Sequence, residues 1–228
     1  MADDNSRKGH RYDHERITNY VNEIHAPHDA GLDEAFAAPE HHDIPPIMIG
    51  PSEGKTLEIL CRLAGAKKAV EIGTLAGYSA IWIARGLGPG GKLYSLELDE
   101  KHAEVARAAI ATAGLSDRVE VLVGDALESL KSLEGEAPFD LVFVDADKAR
   151  YDQYGLWAAR NLRLGGLLIG DNSYFFGNLL EEGSAAAAMR RFHEQSAGDF
   201  VSVCVPTPDG MVVGIRVDSL DEKVIPDH

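Results

Sequence analysis

An α/β fold, with a mostly parallel sheet covered by helices on both faces, is what this sequence predicts. Three observations carry the prediction. Short apolar runs alternate with helical stretches from residue 68 to residue 170, the spacing of right-handed strand–helix–strand crossovers. Two of those runs, 139–144 and 166–170, stop abruptly at acidic or amide side chains. The tail breaks the pattern: two β-rich runs, 200–205 and 211–217, flank Pro206, Thr207, Pro208, Asp209 and Gly210. A link of that composition favours an antiparallel hairpin at the sheet edge.

The elements follow in order. Residues 1–10 are polar and read as a disordered start. From Asp13, Ile17, Tyr20, Val21 and Ile24 recur at helical spacing and predict one buried stripe. The stretch 25–46, rich in His, Asp, Glu and Pro, reads as a loop or short helix that closes over something, ended by Pro45 and Pro46. A helix begins at Ser52, with Leu57, Leu60, Cys61 and Ala64 on one face and Gly65 as its stop. Strands are then predicted at 68–72, 91–96, 119–123, 139–144 and 166–170, with helices at 78–87, 100–113, 127–133 and 151–162. Ala185 to Ala188 favour helix. The expected organisation is an N-terminal helix and lid or interface segment, 1–46, followed by one main domain, 47–228.

Composition narrows the function classes. A formal charge of −15, with no basic run longer than Lys67-Lys68 or Arg190-Arg191, argues against nucleic acid as a partner. Cys61 and Cys204 have neither metal nor redox spacing and read as free thiols of a reducing compartment. The polar N-terminus lacks a secretory core, and no apolar stretch is long enough to span a bilayer. A cytoplasmic protein with no membrane partner is the expectation. Six of nine histidines precede residue 43, and the His10/His14 and His25/His28 spacings suit a metal on a helix face. With no carboxylate or cysteine to complete a site, they read as solvated histidines of a polar lid.

Chemistry concentrates at strand ends. Consecutive parallel strands end on the same edge, so Asp145 after one run and Asp171 with Asn172 after another converge on one point. Three hard oxygen donors suit Mg²⁺, Mn²⁺ or Ca²⁺ better than zinc. Upstream, residues 69–79 join a strand to a helix with Gly73 and Gly77 in the turn. The pattern is E-x-G-x-x-x-G, not the G-x-G-x-x-G of a dinucleotide fold, and Glu71 would repel a pyrophosphate. An acid there fits a cationic ligand, such as the amino acid and sulfonium parts of S-adenosylmethionine. Glu97 suits a ribose diol, and Asp125 with Ala126 an adenine edge. The plainer reading is a set of strand–helix turns, where glycines and acidic caps are common. Three successive strands ending in suitable acids favour a nucleoside-bearing ligand.

Val70 to Ser79, Gly124 to Ala126, Phe143 to Lys148 and Asp171-Asn172 occur in an order and spacing that resemble the cation-dependent small-molecule O-methyltransferases. That family includes catechol and caffeoyl-coenzyme A O-methyltransferases and their bacterial relatives; the likeness covers about residues 45–217. It implies a Rossmann-like methyltransferase fold, with seven strands and the last antiparallel. It implies cofactor contacts from Met48, Glu71, Gly73, Gly77, Tyr78, Ser79, Glu97, Asp125, Ala126, Asp145 and Asp147. A divalent cation, Mg²⁺ first, would be held by Asp145, Asp171 and Asn172, with two adjacent acceptor hydroxyls completing its shell. Lys148 is the implied general base, its ammonium pKa depressed by the metal, and a homodimer is implied. Asp147 has a second reading, as a helix cap.

The implied reaction moves a methyl group from S-adenosylmethionine to a hydroxyl of a vicinal dihydroxy aromatic. The chain departs from the family at Ser173, Tyr174, Phe175 and Phe176, and at Ile49 and Gly50. Tyr174, Phe175 and Phe176 either wall a planar acceptor held beside Asn172 and Lys148 or pack in the core. Two other function classes stand against the transferase. A nicotinamide-dependent oxidoreductase is opposed by Glu71 and the missing third glycine. A non-catalytic adenosyl-binding module would need neither base nor metal.

Overall fold

The computed structural model describes residues 15–218; the predicted disordered start at 1–10 and the His10/His14 pair lie outside them. Strands β1 (Lys68–Ile72), β2 (Lys92–Glu97), β3 (Val119–Val123), β4 (Phe139–Val144), β5 (Leu162–Gly170), β6 (Phe200–Val205) and β7 (Met211–Arg216) form one sheet. Their order is β3-β2-β1-β4-β5-β7-β6. β3 through β5 pair in parallel, and β7 runs antiparallel to both β5 and β6. The last strand is therefore the antiparallel one, as expected.

Helices α1 (Glu15–His25), α2 (Ala30–His42), α3 (Pro51–Leu63), α4 (Tyr78–Gly86), α5 (Glu100–Thr112), α6 (Ala126–Ser132), α7 (Tyr151–Asn161) and α8 (Ser184–Asp199) complete the architecture. Alternate strand residues serve opposite faces. Ala69, Leu141, Phe143 and Ile169 pack with Leu57, Ile81 and Ala106, so α3, α4 and α5 cover one side. Val70, Val142, Val144 and Leu168 pack with Leu130, Trp157 and Phe192 of α6, α7 and α8 on the other. Burial on both faces explains why residues 141–144 are apolar without alternation. Each such side chain contributes about 1.5–3 kcal/mol on burial.

The N-terminal segment corrects one expectation and decides another. No residue of α1 is buried; Ile17, Tyr20 and Ile24 of the predicted stripe are exposed, and a Ser52–Asn22 hydrogen bond ties α1 to α3. Of the two readings of 25–46, loop or short helix, the structure has the helix, 13 residues long. Asp29 caps α2 by accepting the Leu32 N–H at 3.2 Å, and Leu32, Ala35 and Ala38 are buried. Gly31 approaches α5 so closely that a Cβ there would meet the Ala113 backbone. Polar composition and Pro39 left loop and helix undecided in the sequence; the stretch after the helix, from Pro45 to Ile49, reaches the cavity described below. Among the described residues no helix is long and apolar enough to cross a membrane.

Candidate active site

The chain winds from β1 through β2 to β3 on one side and from β4 to β5 on the other. The crevice at that switch point, beyond the carboxyl ends of the strands, is where open α/β sheets bind ligands. A cavity of about 690 Å³ occupies it, lined among others by Gly73, Glu97, Asp145, Lys148, Asn172 and Met48. Gly73 has φ +100°, and a Cβ there would overlap the Asp145 carbonyl oxygen, so the turn after β1 must be glycine to let β4 pass. Gly77, at φ +84°, lies behind the wall against Ala106 of α5.

At one end of the cavity a carboxylate organises two loops. Glu97 accepts the N–H groups of Thr74 (3.2 Å) and Leu75 (2.8 Å) on one oxygen, and of Leu98 (2.9 Å) and Asp99 (3.0 Å) on the other. His102 Nδ1 stands 3.6 Å away. Glu71 does not line the cavity. It is wholly buried, its two oxygens accept the Ser79 and Ser95 hydroxyls, and burial pushes its carboxyl up to about 8. The direct contact with a cationic ligand expected of Glu71 does not fit this position; Tyr78 and Ser79, in the same turn, do line the cavity.

Asp125 and Asp147 are engaged by a residue the sequence reading overlooked. Arg150 donates from Nη1 to Asp125 at 2.6 Å and from Nε to Asp147 at 2.8 Å, and the Tyr154 hydroxyl donates to Asp147. The Arg150 guanidinium holds the Asp125 carboxyl below the usual range. Asp125 also caps α6 through the Leu127 N–H at 3.0 Å, whereas Asp147 makes no cap hydrogen bond. Ala126, Asp147 and Arg150 line the cavity; Asp125 supports it from behind. The only sequence signal for Arg150 was its position three residues after Asp147, ion-pair spacing on a helical turn.

The ends of β4 and β5 bring Asp145, Lys148, Asp171 and Asn172 together. Lys148 Nζ donates to Asp145 Oδ1 at 3.0 Å and to the Tyr151 hydroxyl at 2.9 Å. Tyr151, read from sequence only as a helix start, is fully buried, and its hydroxyl lies within 3.0 Å of the Asp171 carbonyl and 3.1 Å of the Val144 carbonyl. Asp171 is 3% exposed; Asn172 Nδ2 donates to its Oδ2 at 3.3 Å, while Oδ1 is buried with no hydrogen-bond partner. Burial, then the negative charge of Asp145, push its carboxyl up to about 7. Among the described residues no group of three His, Cys, Asp or Glu side chains forms a metal site. The set at this corner is two carboxylates and one amide. A buried orphan carboxylate oxygen beside a second carboxylate fits a hard dication.

The other end of the cavity is built from loops. Asn172, Phe175 and Phe176 all take left-handed backbone, near φ +51°. That turn sends Phe176 to the cavity wall, where it is 60% exposed. Tyr174 packs instead over Gly210 of the β6–β7 link, and Phe175 packs against the core under α7 and α8. The expected aromatic wall is thus Phe176, not Tyr174 or Phe175. Ile47, Met48 and Asp209, also outside the helices and strands, line the same cavity. Glu53, near this corner, accepts the Gly50 N–H at 2.8 Å, and burial raises its carboxyl.

The sequence model of a family described as O-methyltransferase matches residues 22–217. The chain is 41% identical over 184 residues to a catechol O-methyltransferase of Niastella koreensis, covering 78% of this chain and 83% of that one. It is 45% identical over 161 residues to a catechol O-methyltransferase of Mycobacterium tuberculosis, covering 71% and 73%. Its fold superposes on the crystal structure of an O-methyltransferase from Bacillus cereus in complex with SAH, with a TM-score of 0.84 and 37% identity. That match covers 88% of this chain and 97% of the other.

Proposed function

The chain belongs to the O-methyltransferase family, and from that premise we propose that it methylates one hydroxyl of a catechol-like acceptor from S-adenosylmethionine, assisted by a divalent cation. The observation that carries the reading is the Asp145–Lys148–Asp171–Asn172 corner opening into the same cavity as Gly73, Tyr78, Ser79 and Glu97. The names of the two curated relatives support the catechol class. SAH, bound by the Bacillus cereus relative, is what S-adenosylmethionine becomes on losing its methyl group.

Each residue then has a task. Glu97, clamped by four backbone N–H groups, presents a preorganised acceptor edge to the ribose hydroxyls. Tyr78, Ser79, Gly73 and Met48 enclose the amino acid half. Asp145, Asp171 and Asn172 would hold the cation, which when bound stabilises negative charge on an acceptor oxygen near neutral pH. Lys148 takes the proton of the acceptor hydroxyl, and Asp145 Oδ1 and the Tyr151 hydroxyl stand 3.0 and 2.9 Å from its Nζ to hold it in place. Transfer between two bound reactants needs no protein nucleophile. Holding them in line accounts for a rate gain of up to about 7–11 kcal/mol.

The test is labelled methyl transfer to catechol with and without EDTA. Transfer that stops on chelation and returns with Mg²⁺ is expected. Transfer that persists in EDTA refutes the metal; none to any vicinal diol refutes the acceptor class. The apolar strip of Val201, Val203 and Ile215 on β6 and β7 supports a homodimer.

A further inference from the structure

Among the described residues, Arg150 is a guanidinium that lines the cavity and that the mechanism leaves unused. We infer that its guanidinium packs flat against the adenine of the bound cofactor, and that Leu98 is the apolar wall of the same slot. This rests on the reading of the cavity as an S-adenosylmethionine site.

The strand order carries the inference. Asp125 follows β3 and Asp147 follows β4, which are three strand spacings apart, about 14 Å at the usual inter-strand distance. The Asp125–Arg150–Asp147 bridge crosses that gap past the ends of β2 and β1, which deliver Glu97 and Gly73. Glu97 marks the ribose, so the base lies further out, where Arg150, Leu98 and Ala126 line the cavity. Two carboxylates grip the guanidinium at Nη1 and at Nε, on different sides of its rim, so its plane is fixed and its face is left for a ring. Tyr154 secures Asp147 in turn. Leu98 is 70% exposed yet lines the cavity, an apolar surface lacking a cover that a flat base supplies. The Arg150–Asp125 pair is partly exposed, and such pairs contribute little to folding.

Calorimetric titration of SAH and of 5′-methylthioadenosine, which keeps base and ribose but lacks the amino acid, tests the assignment. Arg150→Ala should weaken both ligands by the same factor, about 3- to 30-fold, the range of a guanidinium–ring contact. Arg150→Lys should lose most of that affinity, since it keeps the charge without the plane. Asp125→Asn, which frees one end of the bridge, should lose a smaller part. The melting temperature without ligand should stay within about 2 °C, as expected for exposed ion pairs. Unchanged affinity in Arg150→Ala, full retention in Arg150→Lys, or weakening of SAH alone overturns the inference while the cofactor reading stands. If the wild type binds neither ligand, the cofactor reading itself fails. Should Arg150→Ala not fold, Arg150→Lys and Asp125→Asn decide the matter.

Discussion

The two ends of the cavity are made differently. Around Glu97 the polar groups are buried and tied to backbone: four N–H groups on one carboxylate, two hydroxyls on Glu71, and a glycine turn pressed against the next strand. Around Phe176 the wall consists of exposed side chains on loops, Ile47 at 69% and Phe176 at 60% exposure, with three residues in left-handed backbone. Groups fixed by backbone bonds bind one invariant ligand shape. Exposed side chains on a turn adapt, and changing them alters what is accepted without touching the framework. On the proposed reading the first end takes the common cofactor and the second the individual acceptor.

Lys148 stands at the boundary, and its removal should have the largest effect. Lys148→Ala is expected to lower kcat by about 10²- to 10⁴-fold, the usual worth of a positioned general base. Its affinity for SAH, measured by calorimetry, should stay within about two-fold because the amine bonds only to Asp145 and Tyr151. Equal loss of turnover and of SAH affinity would show that the two ends are not separable at this residue.

The same division explains what was legible in the sequence. Strand ends are announced by apolar runs stopping at Asp, Glu or Gly, so Gly73, Glu97, Asp145, Asp171 and Asn172 were found with their edge of the sheet. Side-chain depth was not announced. Glu71 and Asp125 have the right residue types, yet Glu71 faces two serines in the core and Asp125 caps α6. Arg150 and Tyr151 each combine a partner a few residues away, Asp147 and Lys148, with one 20 or more residues away, Asp125 and Asp171, and no local pattern reveals the distant one. The choice among Tyr174, Phe175 and Phe176 turned on backbone sign, which aromatic residues do not signal as glycine does. Helix α2 stayed undecided between loop and helix because its buried side is made of Gly31, Leu32, Ala35 and Ala38 amid polar residues.

A middle-sized effect probes the rigidity of the cofactor end through pH. The Glu71 carboxyl is raised to about 8 in the fold and has an ordinary value near 4.5 when unfolded. Between those values the folded chain binds the extra proton, so stability falls as pH rises from about 5 to about 8. At about 1.4 kcal/mol per unit over the interval from 4.5 to about 8, the loss is at most about 5 kcal/mol. Glu71→Gln keeps the hydrogen-bonding shape without the titration. Melting curves of the ligand-free proteins should therefore diverge with pH, the variant gaining on the wild type toward pH 8 at about 2–4 °C per kcal/mol. A constant difference across that range would mean that the carboxyl is already ionised in its buried place.

The smallest effect should come from the other end. Phe176→Ala removes an exposed ring from a left-handed turn that glycine-like backbone tolerates, and no buried packing is lost with it. Stability should change by no more than about 0.5 kcal/mol, and SAH affinity should not move. The KM for a catechol should rise about 3- to 10-fold, the worth of one ring-on-ring contact, with kcat nearly kept. The rise should be greater for aromatic acceptors with bulky ring substituents if Phe176 sets selectivity. A drop in SAH affinity in this variant would contradict the division of labour, because it would mean that the exposed turn also closes the cofactor end.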